Sequence, residues 1–271
     1  MEYANHLNEY APAPSEAQAA EEVARMKTAA ARNENSDVYK LCYSAIDLTT
    51  LSCSDSVRSV TAFAEKAVEF YDKFPHIPNV ASICIYPSFV ETVGVAVDGT
   101  PMRITSDPGG FTAAQTFLEV KAHEVAMAIE NGADEVDIVL NAGRMLTGEY
   151  DEAANEVEVI RAEMDEEIVL KVIIESGVLK TPDLIRKASL LSMFAGADFI
   201  KTSTGKTDVS ATPEAAVVMC HAIKDFYEKT GRKVGFKAAG GVRTPQDAVL
   251  YYTIVEEILG KEWCTPELFR I

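Results

Sequence analysis

Seven short apolar runs alternating with capped helical segments, an eighth run starting at Phe269, and a length of 271 residues together predict the fold class. The prediction is α/β: a (β/α)8 TIM barrel with an extra N-terminal helix, a fold that typically takes about 250 residues. An open doubly wound sheet is the alternative, because counting strands does not prove closure. A hydrophobic content of 48% is enough for one sizeable core.

Residues 1–14 carry Pro12 and Pro14 and read as a loose arm. Ser15 with Gln18 forms a capping box ahead of an Ala/Glu-rich helix expected to run to about Arg32. After the polar break Asn33 to Asp37, Leu41 to Ile46 reads as a first strand ending at Asp47. The runs ASICIY (81–86), MRITS (102–106), EVDIVL (135–140), IVLKVIIES (168–176), ADFIKTS (197–203) and KVGFKAA (233–239) are β-branched and nearly continuously apolar, as buried parallel strands are. Thr181-Pro182, Thr212-Pro213 and Thr244-Pro245 each supply a capping hydroxyl followed by proline in the first helical turn, and Gly231 and Gly260 stand where helices stop. On this reading residues 1–40 are an N-terminal arm and helix and 41–271 the barrel.

Composition removes several classes of partner. A net charge of −17 and a pI near 4.7 repel nucleic acid and anionic membranes. No run approaches the ~18 apolar residues of a membrane span, and the first residues lack a signal core. Five cysteines without a CxxC pair suggest neither a disulfide framework nor a zinc site and favour a reducing cytoplasm. The histidines show no metal-ligand spacing, so no metal is expected.

Chemistry in such a barrel belongs at the C-terminal ends of the strands. Lys201 follows the apolar pair Phe199-Ile200, where an unpaired lysine is rarely buried. Taken alone it is more often an edge lysine that discourages aggregation. The segment STGKT (203–207) ends like a nucleotide-binding loop, but Ile200 stands where that motif needs its first glycine. Strand alternation turns Lys201 and Lys237 inward and Ile200 and Phe236 outward, so two lysines face one cavity with Asp137 and Asp47 to balance them. A lysine used as a neutral nucleophile near pH 7 needs its pKa lowered by about 3 units, about 4 kcal/mol. Lys237 is the expected like charge and Asp137 its expected main partner. Cys84 reads as a small core hydrophobe with a cavity-facing thiol as the alternative, Asp107-Pro108-Gly109-Gly110 as a turn with a rim contact as the alternative, and Glu135 with Lys171 as either a pair in the lower barrel or two solvent-facing strand starts.

IDLTTL (46–51), ICIYP (83–87), GADEVDIVL (132–140), LKVIIESG (170–177), FIKTSTGK (199–206) and VGFKAAGGVR (234–243) occur in this order over about residues 40–271 and resemble the deoxyribose-phosphate aldolase family. The resemblance implies a class I, metal-free and cofactor-free aldolase that cleaves 2-deoxy-D-ribose 5-phosphate to D-glyceraldehyde 3-phosphate and acetaldehyde. By position it makes Lys201 the Schiff-base lysine, Asp137 the proton-transfer aspartate, Lys237 the lysine that perturbs the nucleophile, and Asp47 an orienting aspartate. It gives Thr204, Gly205, Lys206, Gly240 and Gly241 to substrate hydroxyl and phosphate contacts. The implied partner is a small phosphorylated sugar, and a homodimer is one expectation the sequence leaves open. In the family the last strand continues into a Gly-x-Ser-Ser phosphate segment, and this sequence stops at Arg270-Ile271. If the protein lacked that segment, weaker phosphate binding is expected, and a non-catalytic binding barrel becomes an alternative beside another Schiff-base aldolase.

Overall fold

The computed structural model describes residues 3–271, and in it eight parallel strands follow one another in chain order through one sheet. They are β1 (Asp47–Thr49), β2 (Ser82–Ile85), β3 (Arg103–Ser106), β4 (Glu135–Val139), β5 (Val169–Ile173), β6 (Phe199–Lys201), β7 (Gly235–Lys237) and β8 (Phe269–Arg270). The sheet closes on itself beyond β8. The Ile271 N–H donates to the Ala45 carbonyl and the Asp47 N–H to the Ile271 carbonyl, both at 2.9 Å. That closure selects the barrel over the open sheet.

Alternation along each strand decides what faces where. Ile83, Ile85, Val136, Ile138, Val172, Ile200 and Phe236 point outward and are buried in the main core. Each such burial contributes about 1.5–3 kcal/mol. The helices that cover them start where the sequence marks them. Thr181, Thr212 and Thr244 accept from the backbone N–H of Leu184, Ala215 and Asp247, each ahead of a proline in the first turn. Gly231 ends its helix in the left-handed region at φ 72°, which a residue with a Cβ adopts only at a cost. The sole tryptophan, Trp263, is buried and donates from Nε1 to the Val234 carbonyl at 3.0 Å, tying the last crossover to the strand ahead of it. Among the described residues no helix is long and apolar enough to cross a membrane.

The N-terminal helix Glu16–Ala30 carries the expected capping box, with Ser15 and Gln18 bonded reciprocally. Two readings ahead of the barrel need correction. Leu41 to Ile46 is not a strand: Ser36–Ser44 is a helix whose cap, the Asn35 side chain, accepts from the N–H of Asp37 and Val38. Its buried residues Val38 and Cys42 stand four apart, a helical spacing that the short apolar run concealed. Asp47 consequently opens β1 instead of ending it. The arm is not loose either; its first two positions lie outside the described residues, but Tyr3–Leu7 is helical with Tyr3 and Leu7 buried. Arg186 Nε holds the Ala11 carbonyl at 2.9 Å, so the arm is fastened to the outer helices.

Candidate active site

Strand register brings the inward-facing polar residues together. Lys201 on β6 lies beside Lys237 on β7 and Ile173 on β5, and Lys237 lies beside Arg270 on β8. Asp137 on β4 lies beside Lys171 on β5. Side chains from these strands meet across the barrel in one buried ionic network. Lys201 Nζ is 2.7 Å from Asp137 Oδ2 and 3.3 Å from Asp107 Oδ1. Lys237 Nζ is 2.7 Å from the same Asp137 oxygen and 2.5 Å from Asp47 Oδ2, the latter an ion pair without hydrogen-bond geometry. Lys171 Nζ takes the other Asp137 oxygen at 2.8 Å and Glu135 Oε2 at 2.6 Å. Arg270 spans Asp47 and Glu135 at 2.5 and 2.8 Å.

Every one of these eight side chains is at most 4% exposed. Four carboxylates (Asp47, Asp107, Glu135, Asp137) face four cations (Lys171, Lys201, Lys237, Arg270), so the barrel interior is balanced although the protein is strongly acidic. Burial of unpaired charge would cost several kcal/mol per ion, and the pairing offsets it. Its floor is pinned further by hydroxyls: Ser82 Oγ donates to Asp47 at 2.8 Å, and Thr105 Oγ1 to Glu135 at 3.0 Å.

The ionisation states follow. Burial favours a neutral Lys201, but Asp107 and Asp137 outweigh it and raise its pKa. This direction is the reverse of the lowering expected from Lys237, whose own charge is matched by Asp47 and Asp137. Lys237 is raised well above its ordinary value, against burial, by Asp137 and Asp47. Burial opposes ionisation of Asp137, yet Lys171, Lys201 and Lys237 hold it well below the usual carboxylate range. Asp137 is therefore shared by three lysines and does not pair chiefly with Lys237. Asp47 is likewise held low, against its burial, by Lys237, Lys171 and Arg270. Asp107 differs from both. Burial raises its pKa, with Lys201 opposing and Asp137 adding to the rise.

Above the network opens a cavity of about 980 Å3 whose wall includes Asp47, Lys201 and Lys237. Thr204, Gly205, Lys206, Gly240 and Gly241 line its mouth with Arg243. All nine residues singled out from the sequence therefore gather at one site, eight on the cavity wall and Asp137 behind it. Gly205 and Gly240 both have positive φ, at 74° and 79°, and abut; a Cβ on Gly240 would lie 3.0 Å from the Gly205 Cα and 2.7 Å from Ser210. The glycines let the two loops close over each other. Glu175, itself at φ 51°, fixes the first loop by accepting from Thr204 Oγ1 at 2.6 Å and Thr207 Oγ1 at 3.2 Å.

Four residues in or against the network correct the sequence reading or extend it. Asp107 is no solvent turn: it is 1% exposed, its N–H is tied to the Ile85 carbonyl, and it touches Lys201. Cys84 faces the interior and donates from Sγ to Asp107 Oδ2 at 2.8 Å. Glu135 and Lys171 do pair, and Lys171 also reaches Asp137. Strand parity carried the missing signal. In Ser-Ile-Cys-Ile, Cys84 shares a face with Ser82, and in Arg-Ile-Thr-Ser-Asp, Asp107 shares one with Arg103 and Thr105. Donor atoms of Cys84, Asp107 and Asp137 lie within 4.8 Å of one another. Two of these residues, Asp107 and Asp137, contact Lys201 Nζ, so the group packs around that nitrogen.

The family model described as DeoC/LacD family aldolase matches residues 41–257. The deoxyribose-phosphate aldolase of Homo sapiens is 40% identical over 239 residues, which cover 83% of this chain and 74% of that protein. That of Mus musculus is 41% identical over 241 residues, with the same coverage of 83% and 74%. Among solved structures, a deoxyribose phosphate aldolase from Aeropyrum pernix shares the fold, with a TM-score of 0.71 at 23% identity over 91% of this chain and 92% of that one. The chain belongs to the DeoC/LacD family of aldolases.

Proposed function

We propose that this protein is a class I aldolase that reversibly cleaves 2-deoxy-D-ribose 5-phosphate into D-glyceraldehyde 3-phosphate and acetaldehyde. The observation that carries the reading is Lys201, a buried lysine at the C-terminal end of β6 that reaches the cavity wall within 2.7 Å of Asp137. Its family and the names of its relatives supply the substrate class.

The nitrogen of Lys201, once deprotonated, attacks the aldehyde carbon of the open-chain sugar, and loss of water gives an iminium. The iminium carries the same single positive charge as a lysine ammonium, so it pairs with Asp137, and that pairing lapses while the nitrogen is neutral in the carbinolamine and the enamine. As a base removes the proton of the C3 hydroxyl, the C2–C3 bond breaks. Its electron pair passes into the iminium, giving an enamine instead of an unstabilised carbanion. D-Glyceraldehyde 3-phosphate leaves, C2 is protonated, and water hydrolyses the iminium to free acetaldehyde. Lys237 and Asp137, joined at 2.7 Å, are the pair assigned to carry protons to and from C2 and the hydroxyl. Asp47 orients Lys237. Lys206, with the N–H groups of Gly205, Gly240 and Gly241, is assigned to the phosphate, a local cationic mouth on an acidic protein.

Borohydride reduction in the presence of deoxyribose 5-phosphate, followed by peptide mass spectrometry, tests this. The expected adduct is on Lys201 and is lost in Lys201→Leu, which stays folded. A reduced adduct on another lysine, or none, would overturn the assignment. Faster cleavage of a different sugar phosphate would keep the Schiff base and change the substrate.

A further inference from the structure

We infer that Glu175 is a positioning residue for the phosphate end of the substrate. It sets the loop 204–207 at the cavity mouth so that Gly205 and Lys206, and not Thr204, meet the anion. The inference rests on the aldolase reading and deepens it, since it concerns how that site grips a phosphorylated sugar.

The backbone around Glu175 gives its side chain one direction. The Ile174 N–H donates to the Lys201 carbonyl at 3.0 Å and the Ser176 N–H to the Thr202 carbonyl at 2.8 Å. Two steps along the chain leaving β5 thus match one step along the chain leaving β6. Glu175 is the extra residue of a bulge, which re-aims a side chain beside a site. Its φ of 51° and ψ of 60° lie in the left-handed region, which is costly for a residue with a Cβ and free for glycine. What glutamate adds at this position is its carboxylate.

That carboxylate is buried, at 4% exposure, and its hydrogen bonds go to the loop that follows β6. It accepts from Thr204 Oγ1 at 2.6 Å, from Thr207 Oγ1 at 3.2 Å and from the Thr204 N–H at 3.3 Å. A carboxylate accepts and does not donate, so the single hydroxyl proton of Thr204 is committed to it. The Thr204 oxygen accepts in turn from the Lys206 N–H at 3.1 Å. Thr204 therefore keeps no donor for a phosphate.

On this part of the cavity wall the Gly205 N–H and the Lys206 ammonium remain. Lys206 Nζ crosses the mouth to the Leu51 carbonyl at 2.5 Å, which occupies one of its three protons. Ser203 Oγ ties the start of the loop to the Ala239 carbonyl at 2.7 Å. The loop is thus fastened toward β1, β5 and β7. Glu175 is not on the cavity wall, and Thr204 is, so the carboxylate acts on the substrate only through the loop it holds.

The test is the ratio of kcat/KM for deoxyribose 5-phosphate to kcat/KM for deoxyribose, with the Kd of inorganic phosphate from calorimetry as a second measure of the same grip. In Glu175→Ala the ratio is expected to fall about tenfold through KM, the worth of one hydrogen bond to a charged group, and phosphate to bind about tenfold more weakly. Glu175→Gly relaxes the backbone while removing the carboxylate, and it should lose as much as Glu175→Ala. Glu175→Gln keeps an oxygen that accepts from Thr204 Oγ1 and should retain most of the ratio. Thr204→Val should match Glu175→Ala and add nothing to it in the double variant, as two members of one contact do. A wild-type ratio in Glu175→Gly, or a fall in Glu175→Ala equalled by the fall with deoxyribose, overturns the inference. So does a loss in Thr204→Val that Glu175→Ala does not share, which would put Thr204 itself on the phosphate. A wild type that cleaves neither sugar overturns the aldolase reading instead, and the Kd of inorganic phosphate in wild type and Glu175→Gly then decides the role of Glu175.

Discussion

Replacing Asp137 with asparagine should cost stability in a way that depends on pH, with a ceiling set by lysine chemistry. The substitution keeps shape but leaves four buried cations against three carboxylates. Each of the three lysine contacts, at 2.7 to 2.8 Å, has a gross attraction of about 6 kcal/mol at an effective dielectric constant near 20. Most of that is offset by desolvation, and removing one partner of a buried pair typically costs about 3–5 kcal/mol. The folded variant has an escape. It can release a proton from one of the lysines, which at pH 7 costs about 4.6 kcal/mol for a group with an ordinary pKa of about 10.4. At pH 9 the same escape costs about 1.9 kcal/mol. The direction follows from proton counts. The folded wild type keeps all three lysines charged, since their pKa values are raised, whereas the folded variant binds one proton fewer. The unfolded chains bind equal numbers at these pH values. The deficit in stability should therefore shrink by about 1.4 kcal/mol per pH unit. Asp137 in the wild type is ionised throughout this window, because its stabilising effect is lost only as pH falls below the ordinary carboxylate range toward its depressed folded value. Denaturant unfolding of both proteins at pH 6.5, 7, 8 and 9, followed by the fluorescence of Trp263, gives the difference directly. A deficit that stays constant over this range, or one below about 1 kcal/mol at pH 7, would refute the account of Asp137 as the hub of three charged lysines.

At the cavity mouth, Lys206→Ala should raise KM for the phosphorylated sugar about tenfold, the worth of one charge-assisted contact, with little change in kcat; steady-state kinetics against unphosphorylated deoxyribose is the control. Gly240→Ala forces a residue with a Cβ to φ 79° and to within 2.7 Å of Ser210, so a loss of about 1–2 kcal/mol is expected in denaturant unfolding together with a raised KM. Asn35→Ala removes the cap of the helix Ser36–Ser44. It should cost about 1 kcal/mol, a fall of about 2–4 °C in Tm, with turnover unchanged.

What could be read from the sequence tracks how local each determinant is. Threonine-proline pairs, glycine stops and the Ser15 capping box act within one turn of chain, and each appears where expected. Lys201 was visible because strand alternation needs only its neighbours Ile200 and Thr202. Misreadings arose where two local rules competed. Leu41 to Ile46 satisfies a short apolar strand, but the Asn35 cap and the Val38–Cys42 spacing act together over a longer span and win. Asp107-Pro108-Gly109-Gly110 has the composition of a turn, and its glycines do turn, while the aspartate at its head still belongs to the inward face of β3. The charge state of Lys201 was out of reach for a different reason. It depends on Asp107 and Asp137 reaching it from other strands across the barrel, and a sequence orders strands without stating which side chains meet inside.

That crossing of side chains bears on how such a site can be both stable and reactive. A lysine stored as a free amine would leave its surroundings one positive charge short at rest and force them to accept a cation when the iminium forms. Here the cage is already balanced around an ammonium, and the iminium has the same charge, so Asp137 holds Lys201 equally before and after the bond is made. The pairing is interrupted only while nitrogen is neutral, in the carbinolamine before the iminium and in the enamine after it. Asp47, Glu135 and Asp137 each hold at least two cations; Asp107 holds one. Four buried carboxylates set against four buried cations thus let the barrel interior hold the charge of an iminium without a counter-ion from solvent.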